Sequence, residues 1–367
     1  MQISPKSNVK PKPERASHNE AISRLTMTTV VVGLPAALFA SAAMAAGWIS
    51  LGIGFLTYKD AGPNDVLNLA VHGDEVLAAA SEQGLERIHR DTGTTVVVAP
   101  PEGLDSIDDV FVTDGLVFVL DARAPGAVAI LDPANDWALT GPAQEVEVGP
   151  FSGVSAAQGV MAVSGGTKPM AWFGYDAEGV MSDVRSRPDF GRGQPDILIT
   201  PDGEHAVISA HISGPDFGVI WSEINEGGAD INALSYIALA DAGFTTGGHR
   251  PANFPIQSAL MEDRLLVAHG GGVAVIVLSD EGAELQQVVD VGYPLSAITV
   301  FGDQVLVAGD AGKHFQLTRL TAEEVGLKVE AHQALTDVSG RVSDLWVDAG
   351  AVWMAAGAAG VVKTSLP

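Results

Sequence analysis

The sequence predicts an all-β fold, a seven-bladed β-propeller closed by an N-terminal strand that completes the last blade, and three observations predict it. One strand–turn–strand figure recurs seven times between Asp65 and Leu366. Successive copies start roughly 40 to 60 residues apart, the spacing of a four-stranded propeller blade. After Tyr58 no stretch carries a helical period, whereas short apolar runs broken by Gly, Asp or Asn carry the pattern of strands and tight turns.

The chain begins with a segment that belongs to none of the copies. Lys6, Lys10, Lys12, Arg15 and Arg24 precede the apolar stretch "MTTVVVGLPAALFASAAMAAG", which closes on the small-residue pattern Ala43-Met44-Ala45. This is the layout of an export signal over residues 1–46, with cleavage expected after Ala45 or Ala46 and a periplasmic or secreted destination. Apolar residues continue through "WISLGIGFL", so an uncleaved membrane anchor is the alternative. Residues 47–367 then form the propeller.

The copies follow in order. "DVLNLAVHGDEVLAAASEQGLERIH" starts at Asp65, "DDVFVTDGLVFVLDARAPGAVAILD" at Asp108 and "VSAAQGVMAVSGGTKPMAWFGYD" at Val154. "PDILITPDGEHAVISAHISGPDFGVIWSEI" starts at Pro195, "IQSALMEDRLLVAHGGGVAVIVLSD" at Ile256 and "LSAITVFGDQVLVAGDAGKHFQLTRL" at Leu295. Alternating apolar positions such as Val110, Val112, Val117 and Val119 fit strands. The seventh copy, "VSDLWVDAGAVWMAAGAAGVVKTSL" from Val342, supplies three strands and stops. Its fourth strand is expected from "GWISLGIGFLTY", Gly47 to Tyr58, which would close the ring and cover two sheet edges.

The small residue before Gly360 and the apolar strand after it resemble the LVIVD-type repeats of secreted bacterial β-propellers. "TPDGEHAVIS", Thr200 to Ser209, is similar to the YVTN-type repeats of the same broad group. The resemblance spans most of residues 65–367 and implies the propeller fold. It implies no shared activity, because these motifs are structural and one fold hosts many functions.

Composition excludes several classes. With 45 acidic against 20 basic residues the formal net charge is −25, which repels phosphate backbones, so nucleic acid is not an expected partner. The absence of cysteine excludes disulfides, iron–sulfur clusters and thiol catalysis. No P-loop or strand-to-helix nucleophile elbow is present, and "HGGG" at His269 lacks the elbow that would make it an oxyanion-hole string. The tryptophans, including Trp172, Trp221, Trp346 and Trp353, fall on strands and read as packing between blades.

In a propeller the links from second to third strands and the links between blades open on one face, and the first-to-second-strand turns open on the other. His72 and His205 lie at the latter turns and read as solvated. His211, His269 and His314 follow second strands, and His249 lies in a link between blades, so all four are assigned to the first face. Converging imidazoles are the ligands copper or zinc would take, and these are the cofactors considered. Without the metal reading the same four histidines are loop or strand-end residues bonded locally. A second set, Asp121 and Arg123, Lys168, Arg250, Asp310 and Lys313, puts scarce basic groups on the same rim, suited to an anion or carboxylate or else simply solvated. The long excursion in copy four, Asn225 to Pro255, adds loop over this face.

These readings make the chain a binding or scaffold module that presents one loop face to a protein partner or a small molecule. The alternatives are a metal-dependent periplasmic enzyme using the histidines, or a subunit of a membrane-associated complex, with membrane contact only if the N-terminal segment stays uncleaved.

Overall fold

The computed structural model describes residues 65–123, 126–146, 153–164, 170–188, 196–213, 216–239, 257–270, 272–336, 338 and 341–367. These residues form seven antiparallel sheets in chain order. Blade 1 holds β1 (Asn68–His72), β2 (Glu75–Ala79), β3 (Leu85–His89) and β4 (Thr95–Val98). Blade 2 holds β5 (Asp109–Thr113), β6 (Leu116–Asp121), β7 (Ala127–Asp132) and β8 (Ala138–Leu139), with β9 (Gln144–Glu145) also pairing to β7. Blade 3 has β10 (Val154–Ala157), β11 (Val160–Val163) and β12 (Ala171–Gly174). Blade 4 runs through β13 (Ile197–Ile199), β14 (His205–Ser213), β15 (Asp216–Asn225) and β16 (Asp230–Ala238).

Blade 5 is made of β17 (Gln257–Met261), β18 (Arg264–His269), β19 (Gly272–Ser279) and β20 (Gly282–Asp290). Blade 6 follows with β21 (Leu295–Phe301), β22 (Gln304–Asp310), β23 (Phe315–Glu323) and β24 (Gly326–Leu335), and blade 7 with β25 (Asp344–Asp348), β26 (Ala351–Ala355) and β27 (Val361–Ser365). Among the described residues the only helices are single 3₁₀ turns at Pro133–Asn135 and Glu226–Gly228.

The hydrophobic core is divided into seven parts, each between two consecutive blades. Val117, Val119 and Leu131 of blade 2 pack on Leu77 and Leu85 of blade 1. Phe118, Leu120 and Ile130, the intervening residues of the same strands, pack on Met161 and Phe173 of blade 3. Alternation along β6 therefore sorts side chains between two cores rather than between core and solvent, and all six residues of β6 are buried. A blade is sandwiched on both faces, so apolar residues at every position are what its central strands require. Each large side chain fully buried in this way contributes on the order of 2 kcal/mol. Trp172, wholly buried, fills the junction of blades 3 and 4, and Trp221 and Trp353 lie in the cores of blades 4 and 5 and of blades 7 and 1.

Tight turns keep consecutive strands in register. Asp114 and Gly115, at φ 54° and 77°, join β5 to β6 in the doubly left-handed conformation that matches strand twist. In blade 3 the described residues beyond β12 pair only through bridges of Trp172 with Ser186 and Tyr175 with Met181. Blade 7 joins blade 1 through Val66 and Gly357, which exchange N–H···O bonds of 3.1 and 3.0 Å, and through Ser343 Oγ, which donates to the Leu67 carbonyl at 2.7 Å. The segment expected to complete blade 7, Gly47 to Tyr58, lies outside the described residues.

The first strands of all seven blades line an axial cavity of about 400 Å³. Among the described residues, the β2–β3 link, the β6–β7 link and the link from blade 1 to blade 2 come together at one rim of the ring.

Candidate functional site

At that rim a cavity of about 830 Å³ opens between blades 1 and 2. Its walls come from three connections: the β2–β3 link with Glu82, the link from blade 1 to blade 2 with Asp105, and the β6–β7 link with Asp121 and Arg123, while Glu145 of β9 closes one side. Four carboxyl-bearing residues thus line one cavity with a single arginine.

Beneath them is a polar network that the chain buries deliberately. Ser81, with φ 53°, exchanges backbone hydrogen bonds of 2.8 and 2.9 Å with Ile107, tying the β2–β3 link of blade 1 to the strand entering blade 2. The Asp108 carboxylate, fully buried, accepts the Ser81 hydroxyl at 3.1 Å and the Ala122 N–H at 3.0 Å. Ser106 Oγ sits 2.7 Å from Asp108 Oδ2 and 3.0 Å from Asp121 Oδ1, with one proton to give to either. Asp121, 5% exposed, also accepts the Asp105 N–H at 2.8 Å and the Arg123 N–H at 2.9 Å.

Arg123 roofs this network. Its guanidinium donates to Glu82 Oε1 at 2.5 Å and to Ser81 Oγ, and its Nε lies 3.9 Å from Asp108 Oδ2. Burial pushes the Asp108 carboxyl above the usual carboxylate range, the Ser106 hydroxyl, the Ala122 N–H and Arg123 pull it back, and Asp121 pushes it up again. The site is therefore a buried, hydrogen-bonded floor under a cleft that Glu82, Asp105 and Glu145 also line.

The other sequence-predicted residues are placed as follows. Asp310 ends β22 and its carboxylate accepts the Gly312 N–H at 2.7 Å, next to exposed Lys313 and half-buried His314 in the β22–β23 link of blade 6. None of these three lines the Arg123 cavity, whose described walls all belong to blades 1 and 2. His211 pairs with Phe217 near the end of β14, and His269 pairs with Gly272 at the end of β18, so their backbones stand at the second-to-third-strand links of blades 4 and 5. His249, Lys168 and Arg250 lie outside the described residues.

Sequence reasoning overlooked Glu82, Asp105 and Glu145, which reach the cleft from separate links and share no motif. On the opposite face it read His205 as solvated and overlooked Asp202 and Glu204, whose ligand atoms lie within 4.8 Å of one another and of the His205 ring nitrogen. There Asp202 Oδ1 already accepts the Thr200 hydroxyl at 2.5 Å and the Glu204 N–H at 3.0 Å, while the His205 ring stacks on Trp221 with centroids 4.7 Å apart. The spacing in "PDGEH" was the available signal.

No family model and no curated protein matches the chain. Solved structures do match it. A chain of a mitotic checkpoint complex aligns with a TM-score of 0.62 at 12% identity, over 83% of this chain and 91% of that one. The β-propeller domain of Cps50 (Swd1) from Myceliophteria thermophila aligns with a TM-score of 0.60 at 11% identity, over 83% and 98%. The periplasmic gluconolactonase PpgL of Pseudomonas aeruginosa aligns with a TM-score of 0.56 at 16% identity, over 74% and 85%. At these identities the likeness establishes the β-propeller fold.

Proposed function

We propose that this propeller is an exported binding module that presents the rim of blades 1 and 2 to a protein partner, and that the partner offers a basic segment to the Arg123 cleft. The observation that carries this reading is the cleft itself: Glu82, Asp105, Asp121 and Glu145 line it with a single arginine, on a chain of net charge −25. A basic surface is complementary to both, and such complementarity speeds encounter and excludes wrong partners. A propeller of the same fold within a multiprotein checkpoint assembly supports a scaffold role.

The test is photo-crosslinking in the native host, with the reactive group placed at Glu145 in the cleft or at Asp263 on the opposite face. The expected outcome is one discrete protein captured from Glu145 alone and lost on Asp105→Asn. Equal capture from both faces, or none from Glu145, overturns the reading.

A second reading, a metal-dependent periplasmic enzyme, is supported by the backbones of His211, His269 and His314, which stand at equivalent links of three consecutive blades. Near-stoichiometric copper or zinc in untagged protein, removed by His269→Ala, would favour it. Protein free of metal would exclude it.

A further inference from the structure

The axial cavity is lined at one level by the residues that open the first strands, and these side chains reach sideways to the next blade. Asp109 Oδ2 accepts the Val154 N–H at 2.8 Å, joining blade 2 to blade 3. Asp196 Oδ2 accepts the Ser258 N–H at 3.2 Å and its hydroxyl at 2.8 Å, joining blade 4 to blade 5. Asp344 Oδ2 accepts the Leu69 N–H at 2.8 Å, joining blade 7 to blade 1. Gln257 makes the same link from blade 5 to blade 6, its Oε1 accepting the Ile298 N–H at 3.2 Å. Position and bonding are shared, but Gln257 is permanently neutral and the three aspartates are not.

None of the described residues lining the cavity offsets their charge. Of the described lining residues on all seven first strands, Asp109, Asp196 and Asp344 alone titrate, no Lys, Arg or His is among them, and Asn68, Gln257, Ser258 and Thr299 supply the neutral polar side chains. Asp109 is 6% exposed, while Asp196 and Asp344 keep some surface, which opens on the cavity.

We propose that these three carboxyls are a proton-operated latch on the blade ring, holding three inter-blade seams when protonated and loosening them when ionised together. The physical cause is burial first and mutual repulsion second. Burial pushes Asp196 up to about 6 and Asp344 up to about 7, and raises Asp109 well above the carboxylate range. Asp344 and Asp196 raise Asp109 further, Asp196 raises Asp344, and the accepted N–H bonds oppose these shifts without cancelling them. Because the folded values lie above the unfolded value of about 3.9, the latch contributes its full stability below about pH 4 and loses it as pH rises through about 6 and 7.

The test is the thermal unfolding midpoint of the full chain from pH 5 to pH 8 at constant ionic strength. It compares the wild type, Asp196→Asn/Asp344→Asn, and the charge-matched control Asp280→Asn/Glu281→Gln in the exposed β19–β20 turn. An amide suits the latch positions, since Gln257 already occupies one. The wild type and control should lose roughly 5 °C over this range and the latch variant less than half of that. A latch variant that keeps the wild-type slope, or a control that flattens as much, overturns the proposal. Should the latch variant not fold, amide exchange of the wild type decides: Leu69 and Ser258 should lose protection at pH 8 relative to pH 5 after correction for intrinsic rates, and unchanged protection overturns it.

Discussion

Asp108 and Asp109 are neighbours in the chain and both are buried, yet they live in different electrostatic worlds. Strand geometry sends successive side chains to opposite sides, so Asp108 joins the rim network and Asp109 enters the axial cavity. Asp108 meets two hydroxyls, a backbone N–H and the guanidinium of Arg123, while Asp109 meets two backbone N–H groups and two other carboxyls. A buried carboxyl is therefore made tolerable in two ways within one strand entry. At the rim it is kept company by a cation, and in the cavity it is eased towards neutrality. The first arrangement suits a fixed recognition surface. The second ties the ring to the proton concentration.

The largest expected effect comes from removing the cation. Arg123→Ala leaves Asp108 buried without its guanidinium and Ser81 without a donor, and should cost about 3 kcal/mol, the lower end for a broken buried pair because the guanidinium is partly exposed. The Asp108 carboxyl then rises further, so the loss grows from pH 5 to pH 8. Urea unfolding at both pH values measures it. A loss under about 1 kcal/mol at pH 8 would show that hydroxyls and N–H groups suffice, and the contrast between the two aspartates would weaken.

The contrast itself is read by two isosteric changes. Asp108→Asn turns an amide N–H₂ towards hydroxyl and guanidinium donors and should destabilise by about 2 kcal/mol at either pH. Asp109→Asn removes the charge that Asp344 and Asp196 repel. It should cost less than about 1 kcal/mol at pH 5 and stabilise by about 1 kcal/mol at pH 8, since the folded carboxyl is raised and ionising it in the fold is unfavourable. The decisive observation is the change of sign for Asp109 alone. Equal losses for both variants at pH 8 would mean that the cavity, too, holds its carboxylates in a favourable field.

The fold was legible because repetition is a sequence property. Seven copies with Gly- or Asp-marked turns, as at Asp114 and Gly115, predict seven sheets, and each sheet is found where its copy lies. The double-sided burial of β6 was not read, although "LVFVLD" has no polar residue before Asp121 to mark a solvent face. The rim site was half legible. Arg123 stands out because basic residues are scarce, but Glu82 and Glu145 reach it from links 41 residues upstream and 22 downstream, and only the stacking of blades brings them together. The cavity carboxyls had a signal that aligning the copies on their first strands would have exposed: Asp109, Asp196 and Asp344 each stand immediately before the apolar residue that begins the strand proper. Their shared bonding to the next blade is a property of the closed ring and has no counterpart in one copy.

The smallest expected effect separates recognition from stability. Glu82 is paired with Arg123 at 2.5 Å but its side chain is 53% exposed, so solvent already screens it and holding the pair costs side-chain freedom. Glu82→Gln should therefore change the unfolding free energy by only a few tenths of a kcal/mol. Arg123 keeps Ser81 and Asp108 in the variant, so its position should hold. Crosslinking from Glu145 should nevertheless fall, because the cleft has lost one of the charges that would meet a basic segment. A loss of stability above about 1 kcal/mol would instead place Glu82 in the supporting network, leaving Asp105 and Glu145 as the remaining charges of the cleft.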